Sequence, residues 1–215
     1  MNEMQLGISK MLFIIGSIAL LIGSFVLTPF TTSANTGDVP ADSVELTEEE
    51  QERADKLAEE MIIMQAISIA IGDEKRAELM TATENVDEVS IEITNEELQN
   101  INKDLNEENV DLLPDTTKSL DVTTESYIIN TGSDDGVQLF GFWGTTWQVT
   151  KCAGYLAVAI VPASKAYKAV KALGGMRETA KLLIGAGNAT DFLKISGGVG
   201  AEIVGVDGVM NNCTF

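Results

Sequence analysis

Cys152 and Cys213 are the only cysteines in a chain of 215 residues that contains no histidine. Their chemistry is narrow. Two thiolates cannot by themselves complete the four-ligand shell of a structural zinc site, and without an imidazole no histidine-based nucleophile triad can form. Two free thiols, a partial metal pair or one disulfide remain as readings. An exported chain meets oxidising conditions, so the disulfide Cys152–Cys213 is the expectation. It would close a loop of about 60 residues, a constraint of roughly 4 kcal/mol on the chain-entropy estimate. That is comparable to the 3 to 5 kcal/mol or so that a core of about 70 residues supplies by itself.

The second group of residues able to do chemistry is cationic. Residues 145–215 carry Lys151, Lys165, Lys168, Lys171, Arg177, Lys181 and Lys194 against Glu178, Asp191, Glu202 and Asp207, a balance of +3. Residues 35–144 carry 28 Asp or Glu and 6 Lys or Arg, a balance of −22, and Glu3 cancels Lys10 in the first 34 residues. The formal charge of −19 therefore hides two electrostatically opposite halves. Two unrelated domains that merely differ in charge would look the same. Lys165, Lys168 and Lys171, three apart, drift about 60° per step around a helix and cover one flank, leaving Ala166, Val170 and Leu173 on the other. Phe140, Phe142, Trp143 and Trp147 crowd just ahead of this segment; tryptophan favours the boundary between hydrocarbon and headgroup, and a protein core equally accepts such rings. An anionic bacterial membrane is the partner that suits Trp147, Lys151, Lys165, Lys168, Lys171, Arg177 and Lys181. Nucleic acid does not suit the acidic chain, which lacks a stacking pattern along a dense cationic stripe.

Export would be specified at the amino terminus. Met11 to Leu27 is free of charge, follows Lys10, and precedes the small, polar run Thr31-Thr32-Ser33-Ala34. This is the pattern of a secretory signal peptide over 1–34, cleaved between Ala34 and Asn35. An uncleaved anchor is the alternative, since 17 residues is the short limit for a spanning helix of about 20. No cysteine follows the run to take a lipid.

The acidic stretch 35–144 reads as α-rich with short strands. A helix starts at Thr47, whose side chain and that of Glu50 match a capping box, and runs with Leu57, Met61, Met64, Ile67 and Ile71 on one apolar face until Gly72. Thr94 and Glu97 repeat the box ahead of a second helix. Val89 to Ile93 and Tyr127 to Thr131 alternate as half-buried strands do, and Gly132 to Gly136 reads as a turn or linker. The carboxylates scatter over every helix face and match no calcium loop or acid–base pair, as a solvated surface would. High charge and few aromatics leave the region marginal as an independent fold.

Four helical pieces follow. Trp147 to Val161 is nearly all apolar, and Pro162 then kinks it or begins the next helix, where its missing N–H is harmless. Ala163 to Gly175 carries the lysine flank and closes on Gly174-Gly175. Met176 to Gly187 places Glu178 and Lys181 to pair. Phe192 to Asn212 has Gly197, Ala201 and Gly205 at four-residue intervals, a spacing that lets helices approach closely; its glycines cost about 1 kcal/mol each in helix propensity. The glycines precede no phosphate-loop lysine and follow no strand, so neither nucleotide fingerprint is present. No seat for catalysis and no cofactor site emerges.

"KCAGYLAVAI", "ALGGMRETAKLLIGA" and the terminal "NNCTF" carry a resemblance. Over roughly residues 145–215, about a third of the chain, the sequence is similar to the mature segment of closticin-type bacteriocins, clostridial peptides made as long preproproteins and released from their carboxyl end. Both cysteines stand at matching positions. Thr214 between Cys213 and Phe215, and the stretch from Thr190 to Gly198, depart from that pattern. The resemblance implies a signal peptide 1–34, an acidic propeptide 35–144 and an antimicrobial helical domain 145–215, cut between Gly144 and Thr145, with Gly136 as an alternative start. It also implies a processing protease and an immunity protein as partners, and secretion to the extracellular medium. The expected fold is mainly α: a signal helix, the α-rich propeptide with short strands, and a compact bundle of about four short helices closed by the disulfide. The rival reading is a secreted or membrane-anchored surface interaction protein without killing activity, in which the halves stay joined.

Overall fold

The structure, a computed structural model, describes residues 44–85, 88–123, 126–132, 136–139, 147–187 and 189–204. Thr47 caps the first helix, α1 (Glu48–Ala70), as its sequence predicts: its hydroxyl accepts from the Glu50 N–H while the Glu50 carboxylate accepts from the Thr47 N–H at 2.9 Å. That satisfies two donors that a helix start otherwise leaves orphaned. Gly72, in the left-handed region at φ 77°, ends α1. It also opens a helix that hydrophobic periodicity does not signal, α2 (Gly72–Asn85), directly after the break.

β1 (Val89–Glu92), β2 (Ser119–Val122), β3 (Tyr127–Asn130) and β4 (Val137–Leu139) form an antiparallel meander in the order β1-β2-β3-β4. The register sets Ile91 opposite Leu120, Leu120 opposite Ile129 and Tyr127 opposite Leu139, so one face of the sheet is apolar and buried. Between β1 and β2 lies α3 (Asn95–Glu107), with the second capping box at Thr94 and Glu97. Leu98, Ile101 and Leu105 turn its buried stripe toward α1. Asn102 holds the following loop by exchanging two hydrogen bonds with the Leu113 backbone, at 2.8 and 2.9 Å.

The carboxyl-terminal pieces form as four helices: α4 (Trp147–Ala159), α5 (Lys165–Ala172), α6 (Met176–Ala186) and α7 (Ala189–Val204). Pro162 stands between α4 and α5 in a tight turn in which the Ser164 N–H donates to the Val161 carbonyl and Ala163 takes a positive φ of 70°; this is type II turn geometry with an alanine where glycine is usual. Gly174 and Gly175, at φ 97° and 99°, separate α5 from α6. In α7 the chain departs from helical geometry at Gly197, so the four-residue spacing of small residues does not run along one unbroken helix.

In one respect the arrangement differs from a free-standing carboxyl-terminal bundle. The described residues form one compact unit with one hydrophobic core drawn from both halves. α4 packs chiefly on α1 and α2, while α5, α6 and α7 contact one another and α6 also lies along α1. The reason is visible in α1 itself, whose second half, Met61 to Ala70, is apolar except for Gln65 and Ser68. A helix apolar nearly all round is stable only when covered on several sides, and α3, α4 and α6 cover it.

Lys75 of α2 ties this frame together by donating to the Glu92 carbonyl at 2.7 Å and to the Glu97 carboxylate at 2.8 Å. Burial alone would raise the Glu97 pKa. The hydrogen bond from Lys75, those from the Thr94 backbone and hydroxyl, and the Lys75 charge outweigh it and hold the carboxyl below its ordinary value. A carboxylate depressed in the folded state stabilises the fold above its unfolded pKa of about 4.3 and loses that contribution as pH falls through the lower folded value. Glu97→Gln should therefore lower stability by about 1 kcal/mol or more at pH 7. The difference from the parent chain should shrink steadily below about pH 4, as measured by urea unfolding across pH.

Candidate functional site

The feature that sets this fold apart is the contact between the acidic and the basic halves. From Cys152 to Ile160 every residue of α4 and its exit is buried. Tyr155 is 2% exposed and Cys152 3%. On one side α4 meets the sheet at Gly154, where a Cβ would stand 2.8 Å from the Tyr127 hydroxyl oxygen and 2.9 Å from its ring. Only a glycine lets helix and ring approach this closely. Burial pushes the Tyr127 phenol up to about 12, with a side-chain hydrogen bond to Thr83 of α2 as the opposing influence. It stays a neutral packing group at physiological pH.

On its other side α4 meets α1, and the contact is polar at two points. The Ser68 hydroxyl donates to the Val158 carbonyl at 2.9 Å, and the Gln65 amide donates to the Ile160 carbonyl at 2.9 Å. A helix leaves its last carbonyls without partners inside itself. Pro162 stops the chain from supplying a further turn. The two polar side chains in the apolar half of α1 satisfy carbonyls at the end of α4. Further along, α6 lies against the residues that lead into α1. A Cβ on Gly185 would stand 2.3 Å from the Val44 side chain and 3.2 Å from that of Leu46.

The cationic flank points the other way. Lys165, Lys168, Lys171 and Arg177 are exposed, while Ala166, Val170 and Leu173 are buried, as the spacing along α5 predicts. Lys151 and Lys181 are half-buried, and Lys181 pairs with Glu178 at 2.8 Å. Lys194 likewise pairs with Asp191 within α7 at 2.6 Å. Arg177 donates to the Glu108 carbonyl at 3.4 Å, a backbone contact and not a charge pair. The acidic half thus covers apolar surface, and leaves the lysines of α5 in water. Between the halves runs a shallow groove of about 210 Å³ lined by Ile62, Gln65, Ile160, Tyr167, Val170 and Met176.

Other expected site residues fall elsewhere. Ala34 and Asn35, Gly144 and Thr145, and Cys213 lie outside the described residues, as does the side chain of Trp147 at the head of α4. Among the described residues no cluster of His, Cys, Asp or Glu could hold a metal ion, and no helix is long and apolar enough to cross a membrane. Sequence reasoning missed Gln65, Ser68, Tyr127, Gly154 and Gly185. The first two carried a signal, as the only polar residues among the ten positions from Met61 to Ala70 of α1. The others depend on which elements meet, and no local pattern reports that. No protein-family model matches the chain, and no curated protein or solved structure matches it either.

Ser68→Ala should leave the buried Val158 carbonyl without its partner and cost about 1 to 3 kcal/mol. Gly154→Ala should cost a similar amount, about 1 to 3 kcal/mol, by forcing a methyl group into the Tyr127 ring. Both are read as shifts in the urea midpoint at unchanged slope. A surface change such as Lys168→Gln should stay within about 0.5 kcal/mol.

Proposed function

We propose that the protein is the precursor of a secreted antimicrobial peptide. Residues 1–34 export it, residues 35–144 keep the carboxyl-terminal segment covered, and a protease cutting between Gly144 and Thr145 releases residues 145–215. The released piece, closed by a Cys152–Cys213 disulfide, binds anionic bacterial membranes through Lys151, Lys165, Lys168, Lys171, Arg177 and Lys181, with Trp147 at the headgroup boundary, and permeabilises them.

The observation that carries this reading is the burial of α4 chiefly against α1 and α2 of the acidic half while the α5 lysines stay exposed. Freed of that cover, α4 must bury its apolar surface again, and a bilayer interface accepts an apolar helix flanked by cations. Each lysine near an anionic surface contributes about 1 kcal/mol. At 13 residues α4 is about 20 Å long, short of the hydrocarbon thickness of about 30 Å. Several helices acting together therefore account for permeabilisation better than one inserted rod. Cys152, buried in α4, would anchor one end of the disulfide in the apolar centre of the segment and tie the chain terminus to it.

The shared core also favours a second reading, a surface interaction protein whose halves stay joined and which does not kill. Mass spectrometry of culture supernatant beside a growth-inhibition assay separates the two. The precursor reading expects a fragment of about 7 kDa, for about 70 residues, lighter by two hydrogens than the reduced peptide and active in the assay. Only an intact, inactive chain would establish the second reading. Serine at both Cys152 and Cys213 should cost the released peptide roughly 4 kcal/mol of stability and most of its potency after heating; unchanged potency and heat tolerance would remove the disulfide from the mechanism.

A further inference from the structure

The contact between residues 44–139 and 147–204 is built like a recognition surface. It has an apolar centre, where α4 lies on α1 and α2. It has directional hydrogen bonds at one edge, from Ser68 and Gln65 to the Val158 and Ile160 carbonyls. It has two matched close approaches, Tyr127 on Gly154 and Val44 on Gly185, where one half is shaped to a missing side chain of the other. None of these features needs the peptide bond between Gly144 and Thr145. The opposite charges of the halves, −22 and +3, add long-range attraction. An apolar contact held by hydrogen bonds also resists salt better than one held by exposed ion pairs.

We infer that the acidic half is a binding partner for the carboxyl-terminal segment in its own right. Cutting the linker leaves a non-covalent complex, in which the acidic piece goes on inhibiting its cargo until it is removed. The inhibition rests on the proposed membrane activity; the binding does not. While joined, the two pieces keep a formal charge of −19 and α4 stays covered, so the complex is repelled by an anionic bilayer that would attract the free peptide.

The test places the recognition sequence of a site-specific protease between Gly144 and Thr145 of the full exported chain, and cuts it to completion. Size-exclusion chromatography and native mass spectrometry then ask whether the pieces travel together, at low salt and in 1 M salt. Dye release from vesicles of phosphatidylglycerol and phosphatidylcholine asks whether the cut protein is active. The expected result is one complex in both salts with no dye release, and release once denaturant has separated the pieces and the acidic one is removed. Pieces that part on cutting would overturn the binding surface. A complex that stays joined yet releases dye would overturn the inhibition. If the pieces stay joined but the separated peptide is inert on vesicles, the binding surface stands and the antimicrobial reading falls. In the Gln65→Ala, Ser68→Ala double variant, checked for native circular dichroism before cutting, the pieces should dissociate about tenfold more readily or beyond, the ratio that 1.4 kcal/mol corresponds to. An unchanged constant would remove those hydrogen bonds from the recognition.

Discussion

Covering α4 is the requirement around which the molecule is arranged. From Cys152 to Ile160 there is no polar side chain except the Tyr155 hydroxyl, and burying apolar surface of that kind is worth about 25 cal/mol per Å². A helix with a single apolar stripe can lie on the outside of a domain. One that is apolar all round has to lie inside it. The sheet through Tyr127, α2, and α1 with its two polar donors make that interior. The acidic half provides most of the interior, and the lysine-bearing helices stand outside it.

This arrangement separates two kinds of masking that charge alone would confuse. A chain with 22 surplus negative charges ahead of a cationic segment invites a picture of carboxylates paired with lysines. The ion pairs seen at Glu97, Glu178 and Asp191 each stay within one half. Each holds its own half together and none of these three reaches across to the other. What the acidic half withholds is hydrophobic surface, and its charge acts at longer range, on solubility and on approach to other charged surfaces.

Much of the local structure was legible from residues alone. The two Thr-x-x-Glu boxes form as their spacing requires, because side chain and backbone within one turn determine them. The break at Gly72, the glycine pair after α5 and the lysine flank are legible for the same local reason; Pro162, expected to kink a helix or begin the next one, stands instead in the turn between α4 and α5. α2 was not, because Gly72 to Asn85 has almost no amphipathic pattern and folds as a helix in the company of β1, β2 and α4. β2 was not read either, although Ser119 to Val122 alternates polar and apolar as β1 and β3 do; its pairing between those two strands is what gives the short segment its place. The contact between the halves was not legible. The change in composition near residue 144 marks two electrostatically opposite stretches and does not say whether the acidic one folds by itself. Hydrophobic contact disregards composition boundaries, and the apolar run from Met61 to Ala70 found its complement beyond that point.

The hydrogen bond from Ser68 to Val158 joins residues 90 positions apart. Ribosomes deliver a polypeptide from its amino end, so α1, the sheet and α3 emerge and can begin to collapse before α4 has been made. The seat is ready when the greasy helix arrives, and its transit through water in an unattached state is brief. With the order of the halves reversed, the same residues would send an adhesive helix out first, to clump with its siblings while waiting for its cradle.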